Sequence, residues 1–123
     1  MKILIVDDSK QIRRHVARTL EASGHSSCEA EDGLMALDVL EKEDDIDVVL
    51  MDRYMPVMDG IESLQAIKQE AKYDHISVVM MTTENKAELI QEALDCGADE
   101  YIMKPLTKEV IEEKLEALDD DFL

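Results

Sequence analysis

The chain predicts an α/β layer fold: a five-stranded parallel sheet, helices packed on both faces, and right-handed crossovers between strands. Three observations point there. Short apolar runs alternate with helical periods five times in 123 residues, at intervals of roughly 25 residues. The strongest runs are apolar throughout rather than at every second position, as in strands covered on both sides. Four of the five stop abruptly at polar residues. The length suits one domain, about two-thirds of whose unfolded surface is buried on folding. An apolar fraction of 46% supplies the core.

Residues 3–6 (Ile-Leu-Ile-Val) are the first strand, ending at Asp7 and Asp8. Ile12, Val16 and Leu20 then recur on one helical face, with Lys10, Arg14 and Arg18 as a second row, and Ser23-Gly24 closes the helix. A weaker strand is expected at 26–30, and Asp32-Gly33 leads into a helix carrying Leu34, Leu37 and Leu40. Residues 46–51 form the third strand, interrupted only by Asp47 and ending at Asp52. Residues 54–60, with Pro56 and Asp59-Gly60, read as a loop, and Ile61, Leu64 and Ile67 mark the next helix. The fourth strand spans 76–81 and ends at Thr82-Thr83; Ala87, Ile90 and Leu94 build a helix capped by Gly97. Residues 100–103 form a short strand ending at Lys104-Pro105. Thr107 is a good N-cap for a last helix bearing Ile111, Leu115 and Leu118. The domain is expected to span 1–118, followed by an acidic tail at 119–123 that is either frayed or a short docking motif.

Thirty acidic against 13 basic side chains give a net charge of −17. Binding to nucleic acid through a basic footprint is thereby excluded, because phosphate would be repelled. Apolar runs of about four residues rule out a membrane span or signal peptide, so a cytoplasmic protein with no membrane or nucleic-acid partner is expected. Cys28 and Cys96 lack metal spacing and read as small hydrophobes. His15, His25 and His75 read as surface residues, and the eight methionines as core filler.

In parallel sheets, ligands sit outside the carboxyl ends of the strands. Asp7, Asp8, Asp52, Thr82, Thr83 and Lys104 would all converge on that rim. Most have a purely structural alternative: helix capping for Asp7 and Asp8, β-branched strand filler or a helix cap for the threonines, and an ordinary loop position for the lysine. Together they describe something more specific. Three packed carboxylates repel, and oxygen-only ligands without His or Cys favour Mg²⁺. With the metal and Lys104 the formal charges balance. A carboxylate beside a cation, an ammonium and a hydroxyl is suited to nucleophilic attack on phosphorus.

These residues bring the chain to a family. It resembles the receiver domains of two-component response regulators and is similar to the single-domain, CheY-like type. The resemblance rests on Val6-Asp7-Asp8-Ser9, on residues 49–60 (VLMDRYMPVMDG), on 79–82 (VMMT) and on 97–105 (GADEYIMKP). It implies a (βα)5, flavodoxin-like three-layer sandwich with strand order 2-1-3-4-5. By that resemblance Asp52 is the phospho-acceptor. Asp8, Asp52 and the backbone carbonyl of Tyr54 would ligate Mg²⁺, with Asp7 acting mainly through water. Lys104, before a cis proline bond, would pair with the phosphoryl group, and Thr82 would donate its hydroxyl to it. Tyr101 would respond by changing rotamer, altering the face built from the fourth helix, last strand and last helix. The donor would be a sensor histidine kinase or a histidine phosphotransfer protein. The output would be contact with a downstream protein target through that face, in a chemotaxis-type stand-alone regulator. The domain would not be an enzyme in the ordinary sense, though it would catalyse its own phosphotransfer and dephosphorylation.

Some positions depart from, or vary within, the pattern. Thr83 replaces a smaller residue and would narrow the pocket or limit Tyr101, while Tyr54 and Glu84 stand where receivers tune phosphoryl loss. Residues 1–28 carry five basic and three acidic side chains, whereas 84–123 carry four and thirteen. The ridge Lys10, Arg13, Arg14, Arg18 would therefore suit an acidic donor, and the acidic output face a basic target. The alternatives are a Mg²⁺-dependent phosphohydrolase of the haloacid-dehalogenase type, an excised receiver of a larger regulator, and an inactive adaptor. Against the first, the acidic pair after strand one is adjacent rather than Asp-x-Asp, and no segment is left for a cap.

Overall fold

The computed structural model describes residues 1–120, the last two by backbone only. The strands are β1 (Lys2–Val6), β2 (Ser26–Ala30), β3 (Val48–Asp52), β4 (Ser77–Thr82) and β5 (Glu100–Met103). All pair in parallel, in the order β2-β1-β3-β4-β5. The helices are α1 (Lys10–Ala22), α2 (Gly33–Lys42), α3 (Gly60–Lys68), α4 (Ala87–Asp95) and α5 (Lys108–Asp120). Of the tail expected at 119–123, residues 119 and 120 belong to α5, and 121–123 lie outside the described residues.

Strand pleating sends successive side chains to opposite faces, and both faces are buried. Leu4, Val6, Val49, Met51, Val78 and Met80 enter one layer with Ala36, Leu40, Leu64, Ile67 and Ala93. Ile3, Ile5, Val48, Leu50, Val79 and Met81 enter the other with Val16, Leu20, Ile111 and Leu115. This is why β1, β3 and β4 read as unbroken apolar runs. Met51, Met55, Met80 and Met81 are core, as expected of filler, but Met35 is exposed. Cys28 and Cys96 are half-buried and pack on the first layer. Gly24 and Gly97, just past α1 and α4, take positive φ of 85° and 108°, as helix-ending glycines do.

Two helix faces differ from expectation. On α2 only Leu40 of the leucine row is buried; Leu34 is 53% exposed, and Gly33 and Ala36 face inward instead. The cause is the close approach of α3: a Cβ on Gly33 would lie 1.9 Å from the Ser63 hydroxyl oxygen. On α4, Ala87 and Leu94 are exposed and Ala93 is the one fully buried side chain. Ile46 and Ile76 are buried but precede β3 and β4, and a short 3₁₀ turn, Ala71–Tyr73, unforeseen in the sequence, places Tyr73 in the core. His25 is half-buried, its Nδ1 3.2 Å from the amino terminus, while His15 and His75 are exposed. No helix among the described residues is long and apolar enough to cross a membrane.

Val57, in the β3–α3 loop, has φ of 71° and is 74% exposed. A β-branched residue in the left-handed region is strained, and here nothing is gained from burial. Val57→Gly is therefore expected to stabilise the fold by about 1 kcal/mol, raising the urea midpoint at unchanged m. A lower midpoint would contradict this.

Candidate functional site

The strand registers align the carboxyl ends. Val6 pairs with Met51, Asp52 with Met81 and Thr82 with Met103. Asp7 follows β1 directly and is 1% exposed. Its backbone N–H donates to the Ala30 carbonyl (3.2 Å). One carboxylate oxygen accepts the Ser9 N–H (2.8 Å), and the other accepts from Lys104 Nζ at 2.8 Å. Asp52, the last residue of β3, is 7% exposed, with Oδ1 3.2 Å from Lys104 Nζ. Asp8 is exposed at the rim. Asp7, Asp8 and Asp52 each offer an oxygen within 4.8 Å of the others.

The capping alternatives do not hold. Ser9, not either aspartate, caps α1, accepting the Ile12 N–H at 3.3 Å. The position before α4 is Lys86, which makes no side-chain cap, so neither threonine serves there. Lys104 is no free loop lysine: besides its two carboxylates, its N–H donates to the Thr82 carbonyl at 2.8 Å, and the Lys104-Pro105 bond is cis. On the other side, Gly60 N–H donates to the Arg53 carbonyl (2.9 Å), and Asp59 and Glu62 form a capping box for α3. A Cβ on Gly60 would come within 2.4 Å of the Asp52 carbonyl oxygen, so this close seat excludes side chains.

Electrostatically the site is tense. Burial, then the charge of Asp7, pushes the Asp52 carboxyl above the ordinary carboxylate range, with Lys104 opposing. Burial works against the Lys104 ammonium, but hydrogen bonding and charge from Asp7 and Asp52 prevail and raise its pKa. Hard oxygen donors, one exposed and two buried around one point, fit a small divalent cation that keeps part of its water.

Thr82 is buried, its Oγ1 accepting the Glu84 N–H at 3.2 Å; Glu84 is half-buried and Thr83 exposed. The Tyr101 ring lies inward, 8% exposed, and its hydroxyl is buried without a hydrogen-bond partner. Tyr54 is 54% exposed on the rim, with the Arg53 guanidinium 5.8 Å from its ring centre. Of the expected basic ridge, Lys10, Arg14 and Arg18 are exposed, but Arg13 turns inward to Glu29 (3.0 Å) and the Asp7 carbonyl (2.7 Å). Beside that ridge, a groove of about 410 Å³ is lined by Ile12, His15, Val16, Thr83, Pro105 and Leu106.

One residue went unread in the sequence. Arg53 is 4% exposed and donates from Nη1 to the Leu89 carbonyl (2.9 Å) and from Nη2 to the Glu92 carboxylate. The available signal was a cation directly after an all-buried strand, where a side chain must either leave the protein or find an acidic partner inside it.

A parallel (βα)5 sheet with a buried acidic pocket and an invading lysine at its carboxyl edge defines an aspartate-centred, cation-competent α/β domain. The model of the response regulator receiver domain family matches residues 3–116. The chain belongs to that family. It is 45% identical over 118 residues to a chemotaxis protein CheY homolog of Campylobacter jejuni, covering 94% of this chain and 90% of that protein. It is 39% identical to chemotaxis protein CheY1 of Helicobacter pylori, covering 96% of each. Among solved structures it is similar to Vibrio cholerae chemotaxis protein CheY4, at TM-score 0.88 and 36% identity over 94% of this chain and 96% of that one.

Proposed function

We propose that Asp52 accepts a phosphoryl group from a phosphohistidine on a sensor kinase or phosphotransfer protein, and that the resulting acyl phosphate switches the α4–β5–α5 face. The observation that carries this reading is the Asp52 carboxylate at the sheet rim, 3.2 Å from Lys104 Nζ and grouped with Asp7 and Asp8. An Asp52 oxygen attacks phosphorus, the N–P bond of the donor breaks as the O–P bond forms, and the imidazole leaves with the bonding pair and takes up a proton. Asp8, Asp52 and the Tyr54 carbonyl would hold Mg²⁺, with Asp7 through water; when bound, it supplies positive charge to phosphoryl oxygens. Lys104 balances the growing negative charge. Thr82 gives up its present partner, the Glu84 N–H, to donate to a phosphoryl oxygen.

Phosphorylation replaces one negative charge with about −1.5 to −2 and adds three acceptor oxygens. Recruiting Thr82 and Lys104 to them favours one of two pre-existing arrangements of the β4–α4 segment and Tyr101. The exposed cations of α1 beside the apolar groove suit a donor helix with an acidic rim. The names of the relatives support a chemotaxis role, with a target carrying a basic patch that meets the acidic output face. The test is labelling with a small phosphodonor and Mg²⁺. One phosphoryl per chain, lost in Asp52→Asn, is expected; labelling that survives the substitution, or turnover of generic phosphate esters, would sink the reading.

Tyr54 stands exposed at the rim, two residues after Asp52, where its ring shields the acyl phosphate from in-line water. Tyr54→Asn should release phosphate roughly tenfold faster, about 1.4 kcal/mol of barrier. Equal or slower release in a stopped phosphate assay would refute the shielding role.

A further inference from the structure

We propose that Arg53 is a positioning residue that carries the state of the rim to α4, being joined by backbone to Asp52 and by its guanidinium to Leu89 and Glu92. This rests on the phosphoacceptor reading and adds a second route to the Thr82 and Tyr101 one.

The Arg53 backbone is fixed on both sides. Its N–H donates to the Met81 carbonyl (3.0 Å) and its carbonyl accepts from Gly60 N–H (2.9 Å), so it cannot move without the ends of β4 and α3. A buried guanidinium is costly unless its donors are used. Here its two hydrogen bonds go to α4, to the Leu89 carbonyl at 2.9 Å and the Glu92 carboxylate, while the Tyr54 ring centre lies 5.8 Å from the guanidinium. That helix has little else to hold it. It buries Ala93 alone, seats Leu89 and Ile90 only halfway, and starts without a side-chain cap. A two-pronged, charge-assisted attachment is therefore a large part of what sets its position.

Tyr101 is drawn into the same arrangement. Its phenol is near enough to the Arg53 guanidinium for the two to interact electrostatically, yet its hydroxyl has no hydrogen-bond partner. Two of the guanidinium N–H groups are directed to α4, and the phenol oxygen of the inward ring accepts from none of them. A shift of α4 that turns a guanidinium N–H toward the ring would let the phenol oxygen accept it. Helix position and ring position are thus tied through one side chain.

The test uses the full chain with beryllofluoride and Mg²⁺ as the probe, followed by backbone amide and tyrosine ring resonances. In the wild type, amides near Thr82 and Glu84, amides of 88–93 and the Tyr101 ring should all shift. In Arg53→Met, beryllofluoride should bind within about threefold of wild-type affinity and shift Thr82 and Glu84, while the 88–93 shifts fall by about half or more. Glu92→Ala removes one prong from an exposed position that cannot disturb the core, and should weaken the 88–93 response even if Arg53→Met fails to fold. A full wild-type response of 88–93 in either variant overturns the inference. No response anywhere in the wild type would remove the phosphoacceptor reading, and this inference with it.

Discussion

Lys104→Met is expected to destabilise the metal-free protein by about 3 kcal/mol at neutral pH, because it leaves buried carboxylates without their counter-charge. Asp7 is 1% exposed and takes its ammonium partner at 2.8 Å; Asp52 takes the same nitrogen at 3.2 Å. Methionine fills much of the lysine stem's volume, so the loss reports charge rather than packing. Added Mg²⁺ should recover a good part of it, since a divalent cation on the same carboxylates supplies what the ammonium did. Urea unfolding in chelator and in Mg²⁺ gives both numbers. A loss of equal size in the two conditions would show that the stem, not the charge, is what matters. The variant should also give a weakened output response at full phosphorylation.

Asp52→Asn is expected to act in the opposite direction on stability while abolishing phosphorylation. The wild-type carboxyl sits with Asp7 and Asp8 within 4.8 Å and is opposed by one lysine. Removing its charge relieves repulsion on the order of 2 kcal/mol in the absence of metal. The pH dependence follows from the raised pKa. Well below the ordinary value of 3.8 the carboxyl is neutral in both folded and unfolded chains, and it makes no pH-dependent contribution. Above that, the unfolded chain ionises first, so wild-type stability falls as pH rises and levels off once pH exceeds the raised folded-state value. The stability gap between Asp52→Asn and wild type should therefore open across that window and stay open at neutral pH. Denaturant midpoints of both proteins in chelator, from pH 3.5 to neutrality, measure it (about four pH points suffice). A gap independent of pH would mean that shape, not charge, separates them. Mg²⁺ should close the gap or reverse it.

The strands were legible because both of their faces are buried: β1, β3 and β4 present unbroken apolar runs that a helix or half-exposed strand would not. Once a parallel sheet is assumed, the polar stops at Asp7, Asp52, Thr82 and Lys104 must share an edge, so the site followed from topology. What was not legible is decided by contacts between distant segments. The apolar row of α2 was read from periodicity, yet Ser63 of α3 demands that Gly33 and Ala36 face inward and leaves Leu34 outside. The face of α4 depends on how lightly β5 carries it. Arg13 looked like part of a surface ridge until β2 brought Glu29 to it. Arg53 carried no reading at all, since nothing near it in sequence announces Glu92.

Ser9 caps the first turn of α1, while Asp7 just before it gives one carboxylate oxygen to the Ser9 N–H and the other to Lys104. The side chain that caps the helix is thus not one of the three grouped carboxylates. Substitution at Asp8 or Asp52 can change the acidic cluster without removing the cap, and substitution at Ser9 can weaken the helix start without altering the cluster's charge. On α4 one alanine is fully buried, and the rest of the attachment comes from half-buried Leu89 and Ile90 and from Arg53. The exposed face of α4 can therefore change at small structural cost while the acidic cluster at the sheet rim stays as it is.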